Sequence, residues 1–189
     1  ERRDQRQVRF IAELGDHARA QGMKTCMELC PSPSELLKHL VTPCLPLVDY
    51  FVVNDYEAES ITGQVITRGE RLDWTAAEAA CRRLLQMGIG ELAAVHHPDG
   101  AVAVTKSGEC ARRGSVNVKQ YEIAGAVGAG DAFFAGMLFG IHEDWPLVKC
   151  LDLGNAAAAT SLHSPTTSAS IRPWAECLAY AESRGLRAS

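Results

Sequence analysis

The stretch "GAVGAGDAFFAGML", residues 125–138, joins a glycine loop to an apolar run with helical spacing and carries one acid, Asp131. The acid stands where the helix is predicted to begin. The amides of Ala129, Gly130 and Asp131 would then fall in a first turn, where N–H groups lack intrahelical partners. Together with the helix dipole they form a candidate anion site, and glycine lets a ligand approach the backbone closely.

A carboxylate in this turn would repel a bound phosphate unless a substrate hydroxyl lay between the two groups. Asp131 would then accept the hydroxyl proton while the amides stabilise charge on a transferring phosphoryl group. This is the chemistry of a small-molecule kinase. The plainer interpretation is a tight turn between packed elements with Asp131 as a helix cap, because isolated glycine pairs are weak motifs.

The elements that must position this loop alternate between strand and helix patterns. Helical spacing covers residues 4–20, 31–40, 55–62, 76–87 (with Thr75 as the expected cap), 131–141, 146–163 and 173–183. Strand patterns cover residues 24–29, 48–54, 91–97, 100–106 and 114–120. The alternation predicts a three-layer α/β/α, Rossmann-like fold, with a mostly parallel sheet and helices on both faces. With no linker or repeat, residues 1–189 are expected to form a single α/β domain.

Composition narrows the class of protein. The 189 residues are 47% hydrophobic and 22% charged, with a formal net charge of -4 and no basic run, which argues against nucleic acid as a partner. No apolar stretch approaches the ~20 residues that cross a bilayer, so no membrane partner is expected. The seven cysteines are odd in number and form no CxxC pair, which favours reduced thiols in a cytoplasmic protein.

The stretch "GAVGAGDAFFAGML" resembles the C-terminal signature of the ribokinase-like sugar kinases, the PfkB carbohydrate kinase family, which reads roughly D-T-x-G-A-G-D-x-F. The resemblance implies a ribokinase-like fold and ATP-dependent phosphorylation of a hydroxyl on a small sugar or related polyol. It implies Asp131 as the general base and an anion hole formed by Gly128, Ala129 and Gly130. ATP and Mg²⁺ are the implied cofactors.

Three further stretches resemble the family in the expected order, across residues 49–170. In "VDYFVVNDYEAESITG" the family has a strand followed by N-x-x-E. There Asn54 would contact the nucleotide phosphates, and Glu57 would hold the Mg²⁺ shell through water. On the residues alone, Asn54 equally fits a helix cap with Glu57 as the acid of a capping box.

The stretch "ELAAVHHPDGAVAV" resembles the nucleotide-binding strand and turn of the family, usually T-L-G-x-x-G. Asp99 and Gly100 fit the turn, and His97 joins them in the expected nucleotide-binding set. However, His96 and His97 stand where Leu and Gly are usual, and Val95 where Thr is. Paired histidines at a strand end also suggest metal ligands, but two alone rarely suffice, so a variation of the nucleotide loop is favoured.

The stretch "GNAAAATSLHSPTTSAS" resembles the helix and loop that close the adenine pocket. Its Asn155 lies 24 residues after Asp131, which is consistent with the adenine-side asparagine of the family. The alanine run also fits close helix packing, and the two interpretations are compatible.

The glycine signature departs from the family at its first positions. Gly125 replaces an acid, and Ala126 and Val127 replace the usual threonines. In relatives that acid helps to hold a monovalent cation, with loop carbonyls equivalent to those around Ser161, Ser164 and Thr166 and near Ser170. Without the carboxylate, potassium activation is not expected, although a cation held by carbonyls and hydroxyls alone stays an alternative.

Family members bind the sugar mainly with N-terminal strands, a glycine pair and a small β-sheet lid, and none of these is visible here. The chain is therefore expected to be the C-terminal nucleotide-binding and catalytic portion of a longer sugar kinase, without the N-terminal part and lid. A nucleoside kinase with the same signature is one alternative. A catalytically impaired nucleotide-binding protein is another, favoured by Gly125, His96 and His97. Sugar or polyol and ATP are the expected partners, and a homodimer stays open.

Overall fold

The computed structural model describes residues 2–189, with side chains from residue 5 onward. The chain forms two compact units. The first runs to Val95 and includes Val104–Glu109, whereas the second consists of His96–Ala103 and Cys110–Ser189. Within the described residues, none of the helices combines the length and the hydropathy that a membrane crossing needs.

The first unit is built around a buried strand. Its elements in order are α1 Arg2–Ala20, β1 Cys26–Met27, α2 Ser34–Val41, a 3₁₀ helix Thr42–Leu47, β2 Tyr50–Asn54, α3 Asp55–Thr62, the hairpin strands β3 Thr67–Arg68 and β4 Arg71–Leu72, and α4 Trp74–Gln86. β1 pairs parallel with β2, so that Cys26 lies opposite Tyr50. Three consecutive residues of β2 are buried, as expected for a strand covered on both faces.

The second unit is mainly helical. It contains β7 Cys110–Gly114, a short 3₁₀ turn Gln120–Glu122, α5 Ala129–His142, α6 Leu147–Ser161 and α7 Trp174–Arg184. Glycines bring α5 and α6 close together. A Cβ on Gly136 would lie 2.8 Å from the carbonyl oxygen of Leu153, and a Cβ on Gly154 would lie 2.9 Å from the Phe133 ring. Ala156 and Ala159 of the alanine run are buried in a cluster with Cys177 and Ala181 of α7, so the expected close helix packing is confirmed.

Strands β5 Leu92–His97 and β6 Gly100–Thr105 each belong partly to both units. The five-stranded sheet has the order β1-β2-β5-β6-β7. A two-residue turn joins β5 to β6, and only antiparallel neighbours accept so short a connection. The sheet therefore combines the parallel pairing of β1 and β2 with a hairpin.

Two local expectations are wrong. The strand expected over residues 114–120 is instead Cys110–Gly114, and Val116 forms a bridge with Leu186 near the C-terminus. The alternating residues after Gly114 thus pair with a segment that is distant in the sequence, and local spacing cannot predict that partner. The cap of α4 is Asp73, not Thr75, because the Asp73 carboxylate accepts hydrogen bonds from the first-turn amides, each at 3.1 Å.

The strand expected over residues 24–29 is reduced to the two residues of β1. All seven cysteines are free thiols.

Candidate active site

The glycine loop ends where α5 begins. Gly128 is the N-cap residue, with a left-handed backbone at φ 83°. The Ala132 N–H donates to the Gly128 carbonyl at 2.9 Å and closes the first turn. The Ala129 N–H donates to the Ala126 carbonyl at 3.2 Å, so one of the three expected anion-binding amides already has a partner. The amides of Gly130 and Asp131 occupy first-turn positions that have no intrahelical acceptor.

Asp131 is exposed on this first turn. The buried face of α5 is formed by its neighbours Ala132 and Phe133 and, further on, by Met137. The acid therefore lies on the helix side that faces away from the core, which explains how it is tolerated beside an apolar run. A carboxylate here is stabilised by the helix dipole and is open to a hydroxyl arriving from solvent.

The segment after α6 packs against the glycine loop. The Ala124 N–H donates to the Leu162 carbonyl at 2.8 Å. A Cβ on Gly125 would lie 3.0 Å from the Cα of Pro165, and a Cβ on Gly128 would lie 2.8 Å from the Cβ of Thr167. Both glycines are thus needed for this close approach, and residues 161–170 line one side of the loop.

The monovalent cation of the family does not fit these residues. Gly125 supplies no carboxylate, and the space that a side chain would need there is taken by the Pro165 backbone. The Ser164 and Thr166 hydroxyls bond to each other at 2.9 Å. The Ser170 hydroxyl donates to the Ser161 carbonyl at 3.1 Å. The Ser164, Thr166 and Ser170 hydroxyls and the Ser161 carbonyl are thus hydrogen-bonded within this segment, and no chemistry is assigned to a cation here.

His96 lies beside the first turn of α5. Its ring atoms Cε1 and Nε2 are 3.3 and 3.5 Å from the point where a Cβ on Gly130 would stand. The ring also packs on Phe133, with centroids 5.1 Å apart and an angle of 37° between the planes. The sequence marked His96 only as a departure from the family and assigned His97 to the site. The signal that separates the two is the strand period, because consecutive side chains of β5 point to opposite faces.

His97, Asp99 and Gly100 build the turn between β5 and β6. The Asp99 N–H donates to Nδ1 of His97 at 3.0 Å, and the Asp99 carboxylate lies 3.6 Å from a guanidinium nitrogen of Arg187. The side chains of His97 and Asp99 are only 6% and 7% exposed. Gly100 has φ 150°, a conformation that suits glycine. These contacts give the three residues a structural role, and their part in nucleotide binding stays a prediction.

Asn155 lies inside the second unit, on α6. It is 5% exposed, and its amide donates to the carbonyl of Gly114, the last residue of β7, at 3.3 Å. The side chain thus connects a helix to a strand end. Its proposed contact with adenine stays a prediction.

Asn54 and Glu57 belong to the first unit, where β2 passes into α3. The Glu57 N–H donates to Oδ1 of Asn54 at 2.9 Å, and the Asn54 N–H donates to Oε2 of Glu57 at 3.0 Å. This reciprocal pair is the capping box that the residues alone allowed. Burial raises the pKa of Glu57, and the hydrogen bonds from Asn54 oppose that shift.

The capping box leaves the NH₂ group of Asn54 and one carboxylate oxygen of Glu57 outside it. An amide donor suits a phosphate oxygen, and a single carboxylate oxygen suits a water of hydrated Mg²⁺, which binds proteins through few carboxylates. These two residues therefore fit the implied ligands. Among the described residues, no group of three or more His, Cys, Asp or Glu side chains is arranged to hold a metal ion.

The second unit thus brings Gly128, Ala129, Gly130 and Asp131 together with His96, while Asn54 and Glu57 stand in the first. A cavity of about 680 Å³ also lies in the first unit, between α1 and residues that include Leu40, Pro43 and Leu47. None of the expected site residues lines it.

Solved structures share this fold. Ribokinase from Arabidopsis thaliana, complexed with ribose and ATP, superimposes with a TM-score of 0.70 at 17% identity, over 93% of this chain and 53% of that one. Adenosine kinase from Sinorhizobium meliloti superimposes with a TM-score of 0.66 at 27% identity, over 93% of this chain and 49% of that one. The expected three-layer α/β/α, ribokinase-like fold class is confirmed.

Sequence comparison points the same way. The chain is 36% identical to 5-dehydro-2-deoxygluconokinase from Geobacillus kaustophilus over 73 residues, which are 39% of this chain and 21% of that protein. The chain spans about half the length of the solved kinases it resembles. The profile of the pfkB family carbohydrate kinases matches residues 6–174. The chain therefore belongs to the pfkB family of carbohydrate kinases.

Proposed function

We propose that the chain carries the phosphoryl-transfer chemistry of an ATP-dependent kinase acting on a hydroxyl of a small sugar or related polyol. The observation that carries this proposal is the exposed carboxylate of Asp131 on a first turn that opens with the left-handed Gly128. A base and a set of amide donors thereby share one turn. In this proposal residues 1–189 act as the nucleotide-binding and catalytic portion of such an enzyme.

Each residue of the turn has a distinct role. Asp131 accepts the proton of the attacking hydroxyl. The amides of Gly130 and Asp131 donate to oxygens of the transferring phosphoryl group, where preorganised donors contribute most to the rate. The Ala129 amide joins them only when its bond to Ala126 opens. The lack of a Cβ at Gly128 and Gly130 leaves room for Thr167 and His96 to pack directly beside this turn.

Asn54 and Glu57 are assigned to the nucleotide side. The NH₂ group of Asn54 would donate to a phosphate oxygen, and the outer oxygen of Glu57 would accept a hydrogen bond from the water shell of Mg²⁺. When bound, Mg²⁺ neutralises charge that develops on the phosphates. Retention of the capping box keeps both side chains aligned with the end of β2.

A nucleoside kinase is the second candidate, because the adenosine kinase from Sinorhizobium meliloti shares both the fold and 27% of its aligned residues with this chain. A catalytically impaired nucleotide-binding protein is the third, and Gly125 in place of an acid favours it. These candidates differ in which acceptor, if any, receives phosphate from ATP.

The first experiment measures phosphate transfer from ATP with Mg²⁺ to a panel of sugars, polyols and nucleosides, using the full-length protein. We expect transfer to a sugar or polyol. Transfer to nucleosides alone would favour the second candidate. Calorimetric binding of ATP with no transfer to any acceptor would favour the third.

The second experiment replaces the base. Asp131→Asn keeps the shape of the side chain but removes the proton acceptor, so kcat should fall by about 10²-fold or more while ATP still binds. Asp144→Asn is the matched control, because Asp144 is an exposed acid in the turn after α5 and asparagine tolerates its φ of 53°. An Asp131→Asn variant with most of the original rate would remove Asp131 from the mechanism.

A further inference from the structure

His96 contributes a side chain to the turn that holds the proposed phosphoryl site. The Cε1–Nε2 edge of its ring faces Gly130. Cε1 and Nε2 lie 3.3 and 3.5 Å from the position that a Cβ on Gly130 would occupy. The residue is half-buried, at the end of β5. The imidazole therefore packs beside the backbone of Gly130, the residue that carries one of the two amides assigned to the phosphoryl oxygens.

The ring is held in this position from two sides. Phe133, one turn into α5, packs against one face of the imidazole. Gly130 lies at the Cε1–Nε2 edge, and a side chain on Gly130 would crowd the ring. Both contacts come from the helix that begins with the anion-binding turn, so the ring and the amides keep a constant relation to each other.

A histidine supplies here what an apolar residue of similar size would not. Neutral imidazole carries one N–H donor, and imidazolium carries two. The first turn of α5 has an incomplete set of donors, because the Ala129 amide is bonded to Ala126. A donor on the Nε2 edge of His96 would complete the set.

We propose that His96 is a catalytic residue that donates a hydrogen bond from Nε2 to an oxygen of the phosphoryl group held on the amides of Gly130 and Asp131. This inference rests on the proposed function and adds a group to its site. The hydrogen bond requires no proton transfer, because the imidazole acts only as a donor. It stabilises the charge that spreads over the phosphoryl oxygens in the transition state.

The neighbouring His97 is not suited to this role. Its Nδ1 accepts the Asp99 N–H within the hairpin turn, and its side chain is 6% exposed and points to the opposite face of β5 from His96. Of the two adjacent histidines, only His96 contacts the first turn of α5 in this structure. His97 therefore belongs to the hairpin turn, and His96 belongs to the proposed phosphoryl site.

The test compares His96→Leu with His96→Gln in the full-length protein, on the best acceptor found in the panel. Leucine fills the space without a donor, and it is the residue that the family signature usually has here. Glutamine keeps an N–H donor at similar reach. We expect His96→Leu to lower kcat by about tenfold or more with little change in the KM of the acceptor, and His96→Gln to recover part of the loss.

His142→Leu is the matched control, because His142 is exposed at the opposite end of α5, and its kcat should match the original protein. Thermal unfolding of each variant checks that the fold is intact. A His96→Leu variant with unchanged kcat, or a His96→Gln variant as impaired as His96→Leu, would overturn the role of His96. Such a result with Asp131→Asn still inactive would leave the proposed function standing. A protein inactive on every acceptor would refute the proposed function itself.

Discussion

Gly128 shows how strongly the site depends on single backbone positions. Its φ of 83° lies in the left-handed region, where a side chain is strained. The space beside its Cα is also filled, because a Cβ would meet the Cβ of Thr167 at 2.8 Å. Conformation and packing thus both require glycine at the residue that starts the proposed catalytic turn.

Gly128→Ala should lower the free energy of unfolding by about 3 kcal/mol, because it adds a steric clash to backbone strain. Gly63→Ala is the control, since Gly63 has φ 72° and no atom within 4 Å of its missing Cβ. Strain alone should cost this control about 1 kcal/mol. Chemical denaturation measures both, and equal losses would show that Thr167 gives way without cost.

At the scale of elements, α3 carries two expected ligand-binding residues in its cap. The Asn54 and Glu57 side chains each satisfy a backbone amide at the start of the helix. Burial raises the pKa of Glu57, so its charged form is less favourable in the folded chain than in the unfolded chain. The helix therefore keeps a buried acid at some cost to stability, at a position proposed for ligand binding.

Replacement of Glu57 should change how the free energy of unfolding depends on pH. A raised pKa means that the contribution of Glu57 to stability is complete in acid and is lost as the pH rises through the folded-state pKa. Glu57→Gln keeps the acceptor oxygen but does not titrate, so its free energy of unfolding should increase relative to the original protein as the pH rises from acid through the raised pKa of Glu57. Asn54→Ala, measured alongside, should lose about 1 kcal/mol through the missing cap. A Glu57→Gln difference that stays constant with pH would contradict the burial argument.

At the scale of the whole molecule, the chain is a pfkB family member that consists of two compact units. The profile match covers residues 6–174, while the chain spans about half the length of the solved kinases. The glycine loop and residues 161–170 are joined by direct packing. The contact of Gly125 with Pro165 stands where the family signature has an acid.

Phosphoryl transfer by the full-length protein should accordingly be independent of potassium. Exchange of K⁺ for tetramethylammonium at constant ionic strength should change kcat by less than about twofold, because the loops are already joined. Initial rates across a potassium series measure this. A strong rise in kcat with K⁺ would mean that carbonyls and hydroxyls hold the ion without an acid.

Local elements followed closely from the sequence. Helix α3 has the expected bounds, Asp55–Thr62, because strand and cap signals stand directly before it and Gly63 after it. Helix α5 begins at Ala129, two residues before the expected start, since its N-cap is a glycine without a capping side chain. The strand expected over residues 114–120 is found at Cys110–Gly114 instead. Val116 pairs with Leu186, 70 residues further along the chain, and local spacing does not reveal such a pairing.

The sequence by itself determined the family signature, the order of strands and helices, and the position of an acid in an amide-rich turn, because these depend on residue types and spacings within one or two turns. Only the tertiary structure decided that Asp131 is exposed, that His96 and not His97 contacts Gly130, and that Pro165 and Thr167 fill the space beside the glycines. Those outcomes depend on how helices and loops distant in the chain pack together. "GAVGAGDAFFAGML" alone predicts a base and its amides, and packing places His96, Pro165 and Thr167 beside them.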